Sequence, residues 1–254
     1  YPITRVDILD ERGEEALGKP QGSYLTIDLT AYWKRKEDYF DRAVRAVGSH
    51  LKDLSLPDGP ALVVGLGNRA MTPDAVGPLT LESVLVTRHL LAAMPRQFAG
   101  FRPVAAFGTG VLGSTGVESA EAVRGLVEEV HPAFVIAVDA LASRRTGRVC
   151  ATVQLSDTGI VPGSGVGNHR SALNRETLGV PVYALGVPTV VDAGTLVAEL
   201  TGRERTGQEE LERMMVTPRE VDTVVTDIGR VTGCAISLAL QEGLALADLE
   251  LLLS

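Results

Sequence analysis

The chain has 254 residues, of which 45% are hydrophobic and 22% charged, and its formal net charge is −8 at pH 7. This acidic balance argues against direct binding of nucleic acid, which needs a basic face. No apolar run approaches the ~20 residues that span a bilayer, and the first residues show no signal-peptide pattern. The two cysteines, Cys150 and Cys234, predict buried thiols in a reducing cytoplasm.

The N-terminal residues 1–36 predict two strands near a sheet edge. Apolar and polar residues alternate over residues 3–9 and again over residues 24–29, with turn-forming residues 18–22 between them. Alternation of this kind indicates half-buried strands, and the turn favours antiparallel pairing.

Strands and helices then alternate along the chain. Residues 37–54 have apolar side chains at helical spacing, whereas residues 61–65 form a continuous apolar run typical of a buried strand. The elements predicted after these are a helix at 78–94, a strand at 104–107 and a helix at 117–130. Repeated alternation indicates an α/β fold, a three-layer α/β/α sandwich with a mainly parallel sheet.

The next strand ends, by its pattern, in an acid. Residues 134–138 are all apolar and run directly into Asp139, which is typical of a buried parallel strand followed by a polar site. In open α/β sheets, ligands bind in the crevice beyond the carboxyl ends of the strands. Asp139 is therefore a candidate functional residue.

The C-terminal third predicts an edge strand at 147–155, a buried strand at 180–185 and a long helix. Thr189 and Asp192 have the spacing of a capping box that opens a short helix. Thr217 and Glu220 have the same spacing at the start of the last helix, predicted over residues 217–247. Residues 201–216 are the most linker-like stretch, and the whole chain, 1–254, is expected to form one domain.

A second acid, Asp74, follows the strand at 61–65 through a glycine-rich loop. Alone it could be a turn acid that complements a helix dipole. Because both aspartates leave the carboxyl ends of strands, however, both can reach one crevice. Two carboxyl groups that share a site cannot easily both ionise, so their pKa values separate as an acid/base pair requires.

Two glycine-rich stretches offer other interpretations. Residues 108–113 fit GxGxxG after a strand, but no acid for a ribose follows at the usual spacing, so a loop lining the crevice is favoured over a nucleotide site. Residues 156–170 form a loop that contains Asp157-Thr158-Gly159 and His169. The Asp-Thr-Gly triplet matches pepsin-like proteases, but the α/β pattern does not. His169 is expected to overhang the crevice.

Longer strings resemble the spore germination protease family. They cover nearly the whole chain, in order. The strings are 63–68 (VVGLGN), 72–78 (TPDAVGP), 86–90 (VTRHL), 136–142 (IAVDALA), 155–160 (LSDTGI), 162–168 (PGSGVGN), 186–193 (GVPTVVDA) and 215–222 (MVTPREVD).

The resemblance implies an endopeptidase of the spore core cytoplasm that degrades small acid-soluble spore proteins early in germination. It also implies a homotetramer made as an inactive precursor, or zymogen, that cleaves its own N-terminal segment. Against this family, the stretch between Ala193 and Met214 is short. No cofactor, metal or membrane is implied.

By the same resemblance, the enzyme is an atypical aspartic protease whose catalytic acids match Asp74 and Asp139. We expect Asp139 to carry the proton and Asp74 to be the ionised base. Asn68, Asp157 and His169 are candidate supporting residues. The related hydrogenase-maturation endopeptidases hold nickel with acids and a histidine, so a metal-dependent endopeptidase using Asp74, Asp139 and His169 is the alternative, with a nucleotide-binding module as the weaker one.

Overall fold

A computed structural model describes residues 1–35, 37–164, 170–202 and 209–253. Within these residues the strands join into one mixed sheet with the order β1-β2-β6-β7-β5-β3-β4, and β8 pairs with the end of β7. The strands are β1 (Ile3–Ile8), β2 (Gly22–Asp28), β3 (Ala61–Leu66), β4 (Val104–Gly110), β5 (Phe134–Ser143), β6 (Thr152–Ser156), β7 (Val182–Asp192) and β8 (Met215–Val216).

The core of the sheet is parallel, with β3 between β4 and β5, and β5 between β3 and β7. From β7 outward the pairing is antiparallel through β6, β2 and β1. The predicted α/β fold with a parallel core and N-terminal antiparallel strands at an edge is therefore confirmed.

Helices cover both faces of the sheet, as a three-layer sandwich requires. They are α1 (Glu11–Leu17), α2 (Tyr39–Lys52), α3 (Val76–Leu81), α4 (Arg88–Ala93), α5 (Leu112–Thr115), α6 (Ser119–Val130), α7 (Arg175–Leu178), α8 (Ala193–Thr201), α9 (Glu209–Arg213), α10 (Val221–Leu240) and α11 (Leu246–Leu253). One apolar cluster joins α2, α3 and α10 to the sheet, and a second joins α6 and α7 to its opposite face.

Helix α10 is long and apolar enough, by length and composition, to cross a membrane, but 67% of its apolar window is buried inside the protein. Its buried side chains pack with those of α2 and α3 in the first cluster. Helix α10 is therefore a core helix of this fold.

Two helix predictions were wrong in their bounds, and one helix was missed. The helix predicted at 78–94 is two helices, α3 and α4, because the chain between them is tied to other elements: the Leu85 N–H donates to Ser237 Oγ, and the Thr87 hydroxyl donates to the Arg102 carbonyl. The helix predicted at 217–247 is α10 followed by α11. The prediction also missed α1, which lies between the N-terminal strands.

Both predicted capping boxes also differ. Thr189 lies inside β7, and Asp192 itself caps α8, accepting a hydrogen bond of 2.8 Å from the Thr195 N–H. The Thr217 hydroxyl donates to the Thr189 carbonyl, and α10 begins after Glu220 without a side-chain capping hydrogen bond. The local spacing of Thr189 and Thr217 favours a helix cap, but in the fold Thr189 belongs to a strand and Thr217 makes a tertiary hydrogen bond instead.

Glycines permit a close contact between α3 and the sheet. A Cβ built on Gly77 would lie 2.2 Å from the Leu66 carbonyl oxygen and 2.7 Å from the Val138 carbonyl oxygen, and one on Gly65 would lie 2.7 Å from the Gly77 carbonyl oxygen. These are backbone atoms, so no side-chain rotation relieves the overlap. Helix α3 therefore sits directly on the end of β3 and the middle of β5.

We predict that Gly77→Ala lowers the free energy of unfolding by about 1–3 kcal/mol, because the added methyl group must displace backbone. Gly125→Ala is the matched control, since Gly125 also lies in a helix but a Cβ there meets nothing within 4 Å. The control variant should gain about 0.5–1 kcal/mol from the better helix former. Urea denaturation measures both, and equal stability of the two variants would contradict the contact.

Candidate active site

Asp139 lies in the middle of β5, so the prediction that its strand ends there was wrong. The strand continues to Ser143, but the neighbour β3 stops pairing at Gly65, opposite Val138. Asp139 is thus the first residue of β5 beyond the paired part of β3. On its other side it pairs with Gly186 of β7, which has no side chain to cover it. The strand end that was expected to carry the site is therefore that of β3, beside Asp139.

Asp74 is the last residue of a short 3₁₀ turn, Thr72–Asp74, in the loop that follows β3. The Asn68 N–H donates to Asp74 Oδ2 at 2.8 Å and to the Asp74 carbonyl oxygen at 3.1 Å. Gly67 makes this approach possible, because it has φ 103° and a Cβ there would lie 2.1 Å from the Asp74 carbonyl oxygen. Asp74 is thus held in its turn by the backbone of the loop.

The two aspartates interact electrostatically. Asp139 is 5% exposed, and burial, together with the charge of Asp74, raises its pKa to about 7. The Ala140 N–H, which donates to Asp139 Oδ1 at 2.9 Å, and the charge of Arg170 oppose this rise. The pKa of Asp74 is also raised by burial, and the Asn68 N–H and Arg170 lower it in part. Asp139 is therefore a carboxyl group able to hold a proton near neutral pH.

The other candidate residues differ in placement. Asn68 lies beside Asp74: its backbone N–H donates to that aspartate and its Oδ1 accepts from the Ala70 N–H at 3.0 Å. The side-chain Nδ2 is the group through which Asn68 could donate to a substrate. Asp157 is not brought to the pair. It follows β6 near the amino-terminal end of β7 and accepts a hydrogen bond of 2.8 Å from the Ser23 N–H. His169 lies outside the described residues.

Sequence reasoning missed Arg170, whose charge reaches both aspartates. The only signal was its position in the same glycine-rich loop as His169, where a cation following several glycines can approach a carboxyl pair. In the part of the chain that the structure describes, no three His, Cys, Asp or Glu side chains are grouped as metal ligands. The cysteines Cys150 and Cys234 are free and buried, as predicted.

The fold and the site together define an α/β protein with two unequally buried carboxyl groups beside the parallel core of its sheet. The model of the germination protease family matches residues 1–201. The chain belongs to this family of peptidases, and it is a hydrolase of peptide bonds.

Similar proteins cover most of the chain. A germination protease of Caldanaerobacter subterraneus subsp. tengcongensis is 44% identical over 99% of this chain and 88% of its own length, and one of Clostridium perfringens is 41% identical over 98% and 87%. The first alignment spans 285 positions, more than the 254 residues of the chain, so that relative carries residues without a counterpart here.

A solved structure, the [NiFe] hydrogenase maturation protease HycI from Thermococcus kodakarensis, aligns with 74% of this chain and 98% of its own length. The TM-score is 0.41 and the sequence identity is 17%.

The raised pKa of Asp139 predicts a pH-dependent cost in stability. The stabilisation of the folded state by protonated Asp139 is complete below the ordinary pKa of 3.8 and is lost as the pH rises through about 7. At about 1.4 kcal/mol per pKa unit, the loss is on the order of 4 kcal/mol. The side chain of Asp139→Asn stays neutral at every pH. Between pH 4 and pH 8 the free energy of unfolding of the wild type should therefore fall relative to that of Asp139→Asn.

Urea denaturation across this pH range measures the difference between the two proteins. Asp58→Asn, at a fully exposed position, is the control and should follow the wild type at every pH. Parallel curves for Asp139→Asn and the wild type would contradict a raised pKa at Asp139.

Proposed function

We propose that this germination protease cleaves peptide bonds with water activated between Asp74 and Asp139. The observation that carries the proposal is the unequal burial of the two interacting carboxyl groups. Asp139, deep in the sheet, has its pKa raised to about 7, whereas Asp74 lies in a partly exposed polar turn. One group suited to hold a proton beside one suited to lose it is the requirement for general acid–base catalysis.

In the proposed reaction the Asp74 carboxylate takes a proton from water as the water oxygen bonds to the scissile carbonyl carbon. Protonated Asp139 donates its proton to the carbonyl oxygen, giving a neutral tetrahedral diol. The diol then collapses, the C–N bond breaks, and the leaving nitrogen receives a proton from Asp74. One of the two hydroxyl protons of the diol passes to Asp139 and the other stays on the carboxylic acid product. Both aspartates thus regain their starting states.

Arg170 has a supporting part in this scheme. Its charge favours the ionised form of both aspartates. Because burial and mutual repulsion push the other way, Arg170 helps to keep a single negative charge on the pair at neutral pH.

We propose that the substrates are the small acid-soluble proteins of the spore, cleaved in the spore core at germination. The support is the family resemblance together with the shared name of relatives that align over most of this chain. On the same support we propose a homotetramer that forms from an inactive precursor. The acidic balance of the chain suits substrates that are themselves bound to DNA.

Replacing either aspartate should remove activity. We predict that Asp74→Asn and Asp139→Asn each lower kcat for cleavage of a small acid-soluble spore protein by about 10²–10⁴-fold, because each removes one proton-transfer group. Asp157→Asn is the control and should keep near-normal kcat, since Asp157 lies away from the pair. Near-normal turnover in Asp74→Asn or Asp139→Asn would overturn the mechanism.

The pH dependence of kcat/KM tests which group carries the proton. Activity should fall as the pH rises through about 7, because Asp139 then loses the proton that it must donate. The same assays with and without a chelator test the metal-dependent alternative. Full activity in the chelator supports the aspartate pair, and loss of activity that is restored by a divalent metal would overturn it.

A further inference from the structure

The turn that carries Asp74 is tied to the sheet by a buried threonine. The Thr189 hydroxyl donates a hydrogen bond of 2.6 Å to the Pro73 carbonyl oxygen, and Thr189 is 1% exposed. Thr189 lies on β7, three residues beyond Gly186, which pairs with Asp139. Strand β7 therefore pairs with Asp139 and also contacts the residue before Asp74.

The geometry of the Thr189 bond fixes one peptide group. The Pro73 carbonyl and the Asp74 N–H belong to the same planar unit. Thr189 holds the carbonyl side, and the Met71 carbonyl accepts the Asp74 N–H at 2.8 Å on the other side. With both ends bonded, the plane cannot rotate without breaking a hydrogen bond, and the Asp74 Cα moves with that plane.

Two further contacts hold this arrangement from outside. The Thr217 hydroxyl donates to the Thr189 carbonyl oxygen at 3.0 Å, and Thr217 directly follows β8, which pairs with the end of β7. The Thr72 hydroxyl donates to Asp222 Oδ1 at 2.7 Å, in the first turn of α10. The turn is thus fastened to the sheet on one side and to a core helix on the other.

We propose that Thr189 is a positioning residue that sets the separation of Asp74 from Asp139 through the Pro73 carbonyl. This inference rests on the proposed function of the two aspartates and assigns the residue that holds their geometry. The buried hydroxyl can be replaced by a methyl group of similar size. Thr189→Val therefore removes the hydrogen bond and changes the packing little. The Pro73 carbonyl would be left without this buried partner and would turn toward another donor.

The experiment compares three variants in the full chain. Thr189→Val is expected to lower kcat by about 10–100-fold with a smaller change in KM, because a displacement of about 1 Å in a catalytic group has effects of this size. Thr189→Ser keeps the hydroxyl and should restore most of the lost kcat. Thr87→Val is the matched control: Thr87 is equally buried and its hydroxyl also donates to a backbone carbonyl, that of Arg102, near the start of β4.

The pH profile separates positioning from simple loss of stability. Asp74 and Arg170 are the charged groups of the described residues that act on Asp139. If the Asp74 turn moves away in Thr189→Val, the charge that raises the pKa of Asp139 weakens, and the alkaline fall in kcat/KM shifts to lower pH. Thr87→Val should lose stability without moving this limb.

Normal kcat and an unmoved alkaline limb in Thr189→Val would overturn the positioning proposal. The same outcome as in Thr87→Val, lower stability alone, would also overturn it. Failure of the proposed function is a different result, since it would be seen as activity in Asp74→Asn or Asp139→Asn, whatever the behaviour of the threonine variants.

Discussion

The backbone contact between α3 and the sheet is the constraint on which the site depends. Gly65 and Gly77 let the helix approach the end of β3 and the middle of β5 at a distance that no side chain would allow. Asp74 lies two residues before the first residue of this helix, and Asp139 immediately follows the Val138 carbonyl that the helix touches. The position of one aspartate relative to the other is therefore set by backbone packing, which is less deformable than contacts between long side chains.

This arrangement accepts an energetic penalty at the site. Both carboxyl groups are buried enough to have raised pKa values, and the charge of Asp74 makes the ionisation of Asp139 harder still. Backbone N–H groups of Asn68 and Ala140 offset part of the penalty at fixed positions. Because these donors belong to the loop and strand that carry the aspartates, the compensation adds no flexible group to the crevice. The packing of the sheet core around Asp139 offsets the free energy lost by burying the two carboxyl groups.

Much of this could be predicted from sequence because the physical signals are local. Apolar runs located the buried strands, and the rule that ligands meet at strand ends brought Asp74 and Asp139 together. The end of β5 could not be predicted, since residues 140–142 are as apolar as those before Asp139 and the strand continues through them. The site lies where the neighbouring strand β3 ends before β5 does. The register between these two strands cannot be read from the sequence of either strand alone.

The errors at threonines have a common cause. Thr189 and Thr217 each precede an acid at capping-box spacing, and local reasoning assigns both to helix starts. In the fold the Thr189 hydroxyl donates to the Pro73 carbonyl and the Thr217 hydroxyl donates to the Thr189 carbonyl, so each binds a tertiary partner more than 25 residues away. The role of Arg170 was not predicted for a related reason. Its interaction with the aspartates depends on the tertiary fold, which the periodicity of the sequence does not reveal.

The position of β7 late in the chain affects how the protein folds during synthesis. A chain emerging from the ribosome presents its N-terminal residues first, and both aspartates precede β7 and α10 in that order. Until these later elements are made, the Asp74 turn has neither Thr189 nor Asp222 to hold it, and Asp139 lacks its Gly186 partner. An unfinished chain therefore lacks contacts that hold both aspartates in place. The order of synthesis delays assembly of the carboxyl pair until the chain has been translated through Asp222.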